Sequence, residues 1–303
     1  MSLDADAIAD RRRLKRRLFG WRLLALLLLI AAVFATVWRD DRIALGERVA
    51  QVEITGVILD DQERLRAIRR LATDDSVRAV LLRIDSPGGT VVGGEELYLA
   101  LREVAAVKPV VATIAGTGAS AAYMIALAAD HVIARENSIT GSIGVVLQNF
   151  NAAELLDKIG VQPDLIRSAP LKDQPNPFEP MPAAARAAIQ AVVDDTFRWF
   201  VDLVATRRGL SPVVALQLSD GRVYTGRQAF SLNLIDGTGG IEEARAWLAE
   251  SRGISRDLPL IRVDRERVLD VTGGVFGLAR KMLLSETLKV DGLLALWQPE
   301  VLR

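Results

Sequence analysis

The chain has 303 residues, half of them hydrophobic, and 38 basic residues balance 38 acidic ones. This balance provides no basic field, so we expect no nucleic-acid partner. The chain has no cysteine and one histidine, His131, which excludes disulfide bonds, thiolate catalysis and metal sites built from cysteine or several histidines. We therefore expect neither a metal nor a cofactor.

The first forty residues have the pattern of a membrane anchor. Seven basic residues lie within 11–22, and an uninterrupted apolar run fills 23–37, with Trp21 and Trp38 at its ends. With the two tryptophans at the membrane interfaces and Arg22 snorkelling, the segment reaches the lower length limit of a transmembrane helix, about 17 residues, and the basic flank is expected to stay in the cytoplasm. The pattern predicts a single-pass anchor over 23–38 that places the rest of the chain outside the cytoplasm.

A cleaved signal peptide is the alternative interpretation of this segment. Cleavage needs an A-x-A-like site, and the nearest match is Val33-Phe34-Ala35. Because this match is poor, we favour a retained anchor, which makes residues 1–22 a cytoplasmic basic tail.

After a hinge over 39–51, the chain alternates between strand and helix patterns. Strands are predicted over 52–58, 79–85, 109–116, 131–134 and 142–147, and helices over 62–73, 93–104, 119–129 and 182–208. Apolar strands separated by helices are typical of βαβ units in an α/β fold. The pattern predicts one α/β domain over 52–263 and a C-terminal arm over 264–303 that contacts another subunit or the membrane.

Two turns that contain glycine carry candidate functional groups. Asp85-Ser86-Pro87-Gly88-Gly89 ends a buried strand, and its glycines allow the backbone to present amides to a ligand. A second glycine turn leads to Ser120, which begins a helix, so the amide of Ala121 is free to bind an oxyanion. An ordinary turn and a plain serine N-cap are the alternatives.

A nucleophilic serine needs a base, and His131 is badly placed to be one. The helix after Ser120 would carry this histidine about 16 Å away at the helical rise. Lysine is the remaining activator, because arginine keeps its proton. Among the six lysines, Lys172 is favoured by its proline-stiffened loop, with a solvated loop lysine as the alternative. We expect Lys172 to be buried beside Leu171 and Ile143.

Together these motifs resemble the signal peptide peptidase A family, in its short single-domain form. The matching stretches are Ala119–Tyr123, Ala128–His131, Thr140–Val145, Ser168–Met181 and Gly221–Gly226. The resemblance runs from about Val52 to Val263. It implies an α/β fold with the repeated ββα spiral core of the Clp protease and crotonase superfamily, preceded by one N-terminal transmembrane helix.

The resemblance also assigns the site. It implies that Ser120 is the nucleophile and Lys172 the general base, that Ser142 orients the lysine, and that the amides of Gly89 and Ala121 form the oxyanion hole. One departure is Ser120-Ala121-Ala122-Tyr123, where the family usually has Ser-Gly-Gly-Tyr. Two extra methyl groups near the substrate path bear on specificity more than on activity.

The implied function is that of a serine endopeptidase anchored in the cytoplasmic (inner) membrane of a bacterium, with its N-terminus in the cytoplasm. It would cleave signal peptides left after secretion, and other hydrophobic or misfolded peptides, as a homo-oligomer. Two other hypotheses stay open at this point. A crotonase-type acyl-CoA enzyme needs the same two amides but no serine–lysine pair, and it should lack an anchor. The third hypothesis is a non-catalytic membrane scaffold that retains the fold.

Overall fold

The computed structural model describes residues 46–263 and 294–296, together with helical positions 21, 24, 25, 27 and 28. The chain divides into two units, residues 1–47 and residues 48–303. Within these described ranges, no helix has the length and apolar character needed to cross a membrane. The predicted basic tail, the anchor over 23–38 and the arm over 264–303 lie largely outside the described residues and stay predictions.

The strands and helices of the second unit alternate along most of its length. The strands are β1 (Arg48–Ile58), β2 (Val77–Thr90), β3 (Val110–Ala119), β4 (His131–Ala134), β5 (Ile139–Gly141), β6 (Val223–Thr225), β7 (Gly237–Thr238), β8 (Leu260–Arg262) and β9 (Leu294–Leu296). The helices are α1 (Gln62–Thr73), α2 (Val91–Ala105), α3 (Ala121–Ala126), α4 (Ala153–Lys158), α5 (Ala183–Arg208), α6 (Pro212–Gln217), α7 (Gly226–Ser231) and α8 (Ile241–Arg252).

One mixed sheet joins these strands in the order β6-β5-β3-β2-β1-β8, with β4 and β9 attached to β3 and β2. The strands β1, β2, β3 and β4 are parallel and are separated by helices, which confirms the predicted βαβ units. The long strand β3 pairs with β4 through its first half and with β5 through its last residues. The partner changes between Ile114 and Thr117, and the pairing with β5 then leads directly to Ser120.

The central strands are buried on both faces because their side chains alternate between two layers of helices. On β1, Ala50 and Val52 belong to the core that α1, α2 and α3 cover. Val49 belongs to a second core on the opposite face, with Ala244 and Leu248 of α8. This packing makes the sheet a rigid support for the turns at its edge.

Two predicted elements near Ser120 are wrong. No strand covers 142–147, because Gly141 and Ser142 have φ of 82° and 48° and turn the chain out of β5. The helix predicted over 119–129 is shorter, since α3 spans Ala121–Ala126. Ser120 lies outside this helix because its φ is 58°. Both differences place special backbone conformations at the candidate site.

Candidate active site

Ser120 lies at the junction between β3 and α3, with 1% of its surface exposed. Its φ of 58° and ψ of −121° form a conformation that residues with a side chain rarely adopt. Its amide donates to the carbonyl of Gly141 at 2.8 Å, and its carbonyl accepts the amide of Met124 at 3.0 Å. The strained residue is therefore held by β5 on one side and by α3 on the other.

The hydroxyl of Ser120 does not cap the helix that follows it. Oγ accepts no hydrogen bond from the amides of α3, and it forms none with the other residues of 46–263. The plain N-cap interpretation is therefore wrong. The amide of Ala121 lies at the first helical position, where no intrahelical acceptor exists. A serine hydroxyl and an adjacent amide donor are thus both unpaired within the described chain.

Ser142 lies directly beside this cluster. It follows Gly141, which accepts the amide of Ser120, and its own amide donates to the carbonyl of Arg222 at 2.8 Å. Ser142 is buried, and its hydroxyl forms no hydrogen bond with the described residues. The structure therefore brings Ser142 next to Ser120, with a hydroxyl available to another group, and its role in orienting the lysine stays a prediction.

The turn that carries Gly89 lies within the end of β2 and leaves no room for a side chain at that position. A Cβ at Gly89 would lie 1.9 Å from the carbonyl oxygen of Ile58 in β1. The fully buried Ser86 holds the same turn, since its Oγ donates to the carbonyl of Gly56 at 2.6 Å and accepts the amide of Gly88 at 3.1 Å. One hydroxyl thereby connects the turn to β1.

Asp85 connects the end of β2, which carries Gly89, to the end of β3, which leads to Ser120. Its Oδ1 accepts the amide of Thr117 at 3.0 Å. Reasoning from the sequence missed the roles of Asp85 and Ser86. The available signal was a pair of polar residues at the end of a long apolar strand.

Ala121 and Ala122 stand where the family usually has glycines, and their effect on substrate specificity stays a prediction. Ala121 and Ala122 are fully buried. A Cβ at Gly94 of α2 would lie 3.0 Å from Cβ of Ala121, so α2 and α3 approach closely here. The methyl group of Ala121 therefore fills the space beside α2.

Lys172 lies in an exposed loop and stays apart from this cluster in the single chain. Its Nζ forms no hydrogen bond or ion pair with the described residues. The predicted burial is wrong for the single chain, because Leu171 is 48% exposed although Ile143 is fully buried. No described contact joins Lys172 to Ser120, so the role of Lys172 as base stays a prediction.

The loop around Lys172 is held by its own polar side chains. The carboxylate of Glu179 accepts hydrogen bonds from Arg167, Gln174 and Asn176, the last at 3.2 Å. The hydrogen bond from Asn176, with those from Arg167 and Gln174, lowers the pKa of the Glu179 carboxyl from its ordinary value. A carboxylate therefore fixes the shape of the loop that presents Lys172.

His131 lies at the far end of the sheet from Ser120. It pairs with Val111 near the start of β3, nine residues before Ser120, which is roughly 30 Å at the rise of a strand. Its ring stacks on Trp247 with centroids 4.7 Å apart. Burial lowers the pKa of His131, although Asp236 opposes this. The prediction that His131 is badly placed to serve as the base is confirmed.

An unpaired serine hydroxyl at a strained junction between strand and helix is typical of serine hydrolases, and comparison with known proteins narrows this class. The family described as "Peptidase family S49" matches residues 102–255, and the family "ClpP-like SDH-type serine proteinase" matches residues 13–166. The chain therefore belongs to peptidase family S49, the family of signal peptide peptidase A, and it is a serine protease.

Two named relatives, a cyanobacterial and an enterococcal protein, agree with this membership. A Synechocystis protein named "Putative protease slr0021" is 36% identical over 251 residues, which cover 80% of this chain and 90% of the relative. An Enterococcus faecium protein named "Putative signal peptide peptidase SppA" is 31% identical, over 70% of this chain and 66% of the relative. The solved structure of the membrane-bound stomatin-specific protease 1510-N covers 74% of this chain and 95% of that chain, with 16% identity and a TM-score of 0.45.

Proposed function

We propose that this serine protease is a membrane-anchored endopeptidase that cleaves signal peptides left after secretion, and other hydrophobic or misfolded peptides. Ser120 is the nucleophile and Lys172 the general base. The observation that carries the proposal is the unpaired hydroxyl of Ser120, which lies in a strained backbone conformation at the junction of β3 and α3. The name of the Enterococcus relative supports the substrate class.

The reaction follows from the groups at the site. Oγ of Ser120 attacks the scissile carbonyl while the neutral amine of Lys172 takes the hydroxyl proton. The amides of Gly89 and Ala121 donate to the oxyanion that forms. Lys172 then returns the proton to the leaving amine, the peptide bond breaks, and water hydrolyses the acyl-enzyme. The free hydroxyl of Ser142 orients the amine of Lys172 in this scheme.

We also propose that the protease works as a homo-oligomer, because one stretch of its surface is unusually apolar. The large apolar side chains exposed within 146–192 are Val146, Phe150, Leu155, Ile159, Val161, Leu165, Ile166, Leu171, Phe178 and Val192. A second copy that covers this stretch would bury them and enclose Lys172. Light scattering should show an oligomer that Ile166→Asp dissociates, whereas a monomeric and fully active chain contradicts the proposal.

The anchor over 23–38 places this activity at the outer face of the cytoplasmic (inner) membrane of a bacterium. The basic residues before the apolar run support this orientation. A reporter fused after Arg42 should be active only outside the cytoplasm. A mature N-terminus directly after Ala35 would instead show that the segment is a cleaved signal peptide.

A serine-reactive phosphonate probe tests the catalytic assignment most directly. We expect the probe to label the full chain at Ser120, and the labelling to disappear in Ser120→Ala. Lys172→Ala should slow labelling and peptide cleavage together, because the hydroxyl loses its base. Lys158→Ala is the matched control, since Lys158 is also an exposed lysine. Labelling at another serine, or equal rates for both lysine variants, would overturn the assignment.

A further inference from the structure

The hydroxyl of Thr140 bonds to the strand end that leads to Ser120. Thr140 lies in the middle of β5 and is fully buried, and its Oγ1 donates to the carbonyl of Gly118 at 2.7 Å. β5 and β3 are parallel here, with Thr140 opposite Gly118 and Gly141 opposite Ala119. The side-chain hydrogen bond thus adds to the backbone pairing between the two strands.

Two consecutive residues of β5 hold the chain on both sides of Ala119. Thr140 holds the carbonyl of Gly118, which belongs to the peptide group before Ala119. The carbonyl of Gly141 accepts the amide of Ser120, which belongs to the peptide group after Ala119. Together these bonds fix the orientation of the two peptide groups that lead into Ser120.

Ser120 needs such restraint because its backbone conformation is strained. Its φ of 58° and ψ of −121° lie in a region that persists only where the surrounding structure imposes it. If one of the two bonds were lost, the peptide groups before Ser120 could turn toward a relaxed conformation. The side chain would turn with them, so Oγ would leave its present position.

The support for this arrangement extends from β5 to β6. Gly141 has a φ of 82°, and a Cβ there would lie 2.6 Å from Cδ2 of Tyr224. Tyr224 is buried, lies opposite Thr140 in the antiparallel pairing of β5 with β6, and donates its hydroxyl to the carbonyl of Leu218 at 3.0 Å. The residue that accepts the amide of Ser120 therefore packs against an aromatic ring that is itself fixed.

We propose that Thr140 is a positioning residue of the protease, whose hydroxyl keeps Ser120 in the strained conformation from which Oγ attacks. This inference rests on the proposed function, in which Ser120 is the nucleophile. Because Thr140 is fully buried, it acts through the carbonyl of Gly118 and not by touching the substrate. Its loss should slow the reaction at Ser120 and leave the binding of a peptide nearly unchanged.

Thr113 provides a matched comparison within the same sheet. It lies in β3, it is also buried, and its Oγ1 donates to the carbonyl of Leu82 in β2 at 3.1 Å. The two threonines make the same kind of hydrogen bond, but Thr113 lies far from the end of β3 that leads to Ser120. Both bonds should contribute to stability, and only the bond of Thr140 should contribute to the reaction.

Serine and alanine variants isolate the hydroxyl of Thr140. Both replacements remove the γ-methyl group, and only alanine also removes the hydroxyl. In the full chain, we expect Thr140→Ala to lower kcat for a short fluorogenic peptide about tenfold with KM nearly unchanged, and to slow phosphonate labelling of Ser120 equally. Thr140→Ser should recover most of both rates. Thr140→Val, which keeps the size of the side chain without the hydroxyl, should be as slow as Thr140→Ala.

The control separates positioning from stability. Thr113→Ala should lower the melting temperature by an amount similar to that in Thr140→Ala, yet keep kcat and the labelling rate, measured at a temperature where both variants are folded. Equal labelling rates in Thr140→Ala and Thr113→Ala would overturn the positioning role. A Thr140→Ser variant as slow as Thr140→Ala would also overturn it, since the methyl group would then be what matters. Absence of labelling at Ser120 in the unchanged chain would instead overturn the proposed function, and this role with it.

Discussion

The nucleophile region (residues 85–90 and 117–142) and the lysine loop (residues 167–179) are held in opposite ways. The nucleophile region is buried, and Asp85, Ser86 and Ser120 connect it to three strands. The lysine loop is largely exposed, and its side chains bond chiefly to Glu179 within the loop itself. The sheet therefore holds the nucleophile region in place, whereas hydrogen bonds to the carboxylate of Glu179 hold the lysine loop.

Unpaired polar atoms occur in both regions of the described chain, but those of the lysine loop are fully enclosed. Nε of Arg167 and Oε1 of Gln174 are enclosed without a hydrogen bond, whereas the unpaired groups of the nucleophile region are the hydroxyls of Ser120 and Ser142. An unpaired buried polar atom costs about 1–3 kcal/mol. The sheet therefore holds Ser120 in place within the single chain, whereas the lysine loop keeps unpaired buried atoms there, which favours the proposed contact with a second copy.

Replacement of Gly89 should have the largest effect on activity, because Gly89 lies in the nucleophile region, where the sheet leaves little room for movement. In Gly89→Ala the new methyl group would meet the backbone of Ile58 at 1.9 Å, so β1 and β2 must separate there. We expect kcat to fall by about 10²–10³, as for a lost oxyanion donor, and the melting temperature to fall. Steady-state kinetics and thermal unfolding by circular dichroism measure the two effects.

Gly237→Ala in β7 is the matched control for this prediction. A Cβ at Gly237 would have its nearest neighbour at 3.9 Å, so the methyl group fits without moving the backbone. This variant should keep kcat and the melting temperature. Full activity in Gly89→Ala would show that the backbone around Gly89 is flexible. The contrast between the nucleophile region and the lysine loop would then fail.

The next largest effect is expected from Ser86→Ala. The change leaves the carbonyl of Gly56 and the amide of Gly88 without their partner, which costs about 1–3 kcal/mol of the free energy of unfolding. We expect kcat to fall about tenfold with KM nearly unchanged, because the proposed oxyanion donor at Gly89 shifts while the rest of the site remains in place.

Ser219→Ala provides the comparison that separates stability from catalysis. Ser219 is also buried, and its Oγ donates to the carbonyl of Ala215 at 2.7 Å in α6. Its loss should lower stability while leaving kcat unchanged. An equal drop of kcat in both variants would mean that Ser86 acts only through overall stability.

The sequence predicted the regular elements better than the turns. The helix over 62–73 has the predicted bounds in α1, because Leu65, Ile68 and Leu71 repeat on one buried face and Asp61 caps the first turn. Ser120 could be found because a strand, a glycine turn and a helix follow one another around it. Each of these signals is local in the sequence.

The special backbone conformations could not be predicted in this way. The positive φ of Ser120 and Ser142 depends on hydrogen bonds to Gly141 and Arg222, which are distant in sequence or on another strand. The exposure of Lys172 could not be predicted either, because it follows from the folded shape of the loop. In that shape the other polar side chains of the loop donate to Glu179, and Lys172 is left outside. Tertiary hydrogen bonds decide these features, and sequence periodicity does not record them.

A smaller effect on activity is expected from Glu179→Gln, which changes the carboxylate that holds the lysine loop. The neutral amide keeps the shape of the side chain but weakens three hydrogen bonds that now end on a carboxylate. We expect kcat to fall about fivefold through misplacement of Lys172, with the melting temperature unchanged because the loop is exposed. Glu250→Gln is the control, since Glu250 also pairs with an arginine at the surface. A clear loss of melting temperature would show that the loop is held as rigidly as the nucleophile region.

The smallest expected effect is a fall in the amide protection of the lysine loop at acid pH, at pH values where the nucleophile region is still fully protected. The pKa of Glu179 is lower in the folded chain than in the unfolded chain, chiefly through the hydrogen bond from Asn176. Its contribution is therefore complete above the unfolded value of about 4.3 and is lost as the pH falls through the folded value. Protection of the loop amides, corrected for intrinsic exchange, should fall over this window while that of residues 117–142 persists. In Glu179→Gln the loop should be less protected at neutral pH and insensitive to acid, because no proton is taken up there. Simultaneous loss of protection in both regions would mean that one cooperative unit holds the serine and the lysine, and the contrast between them would fail.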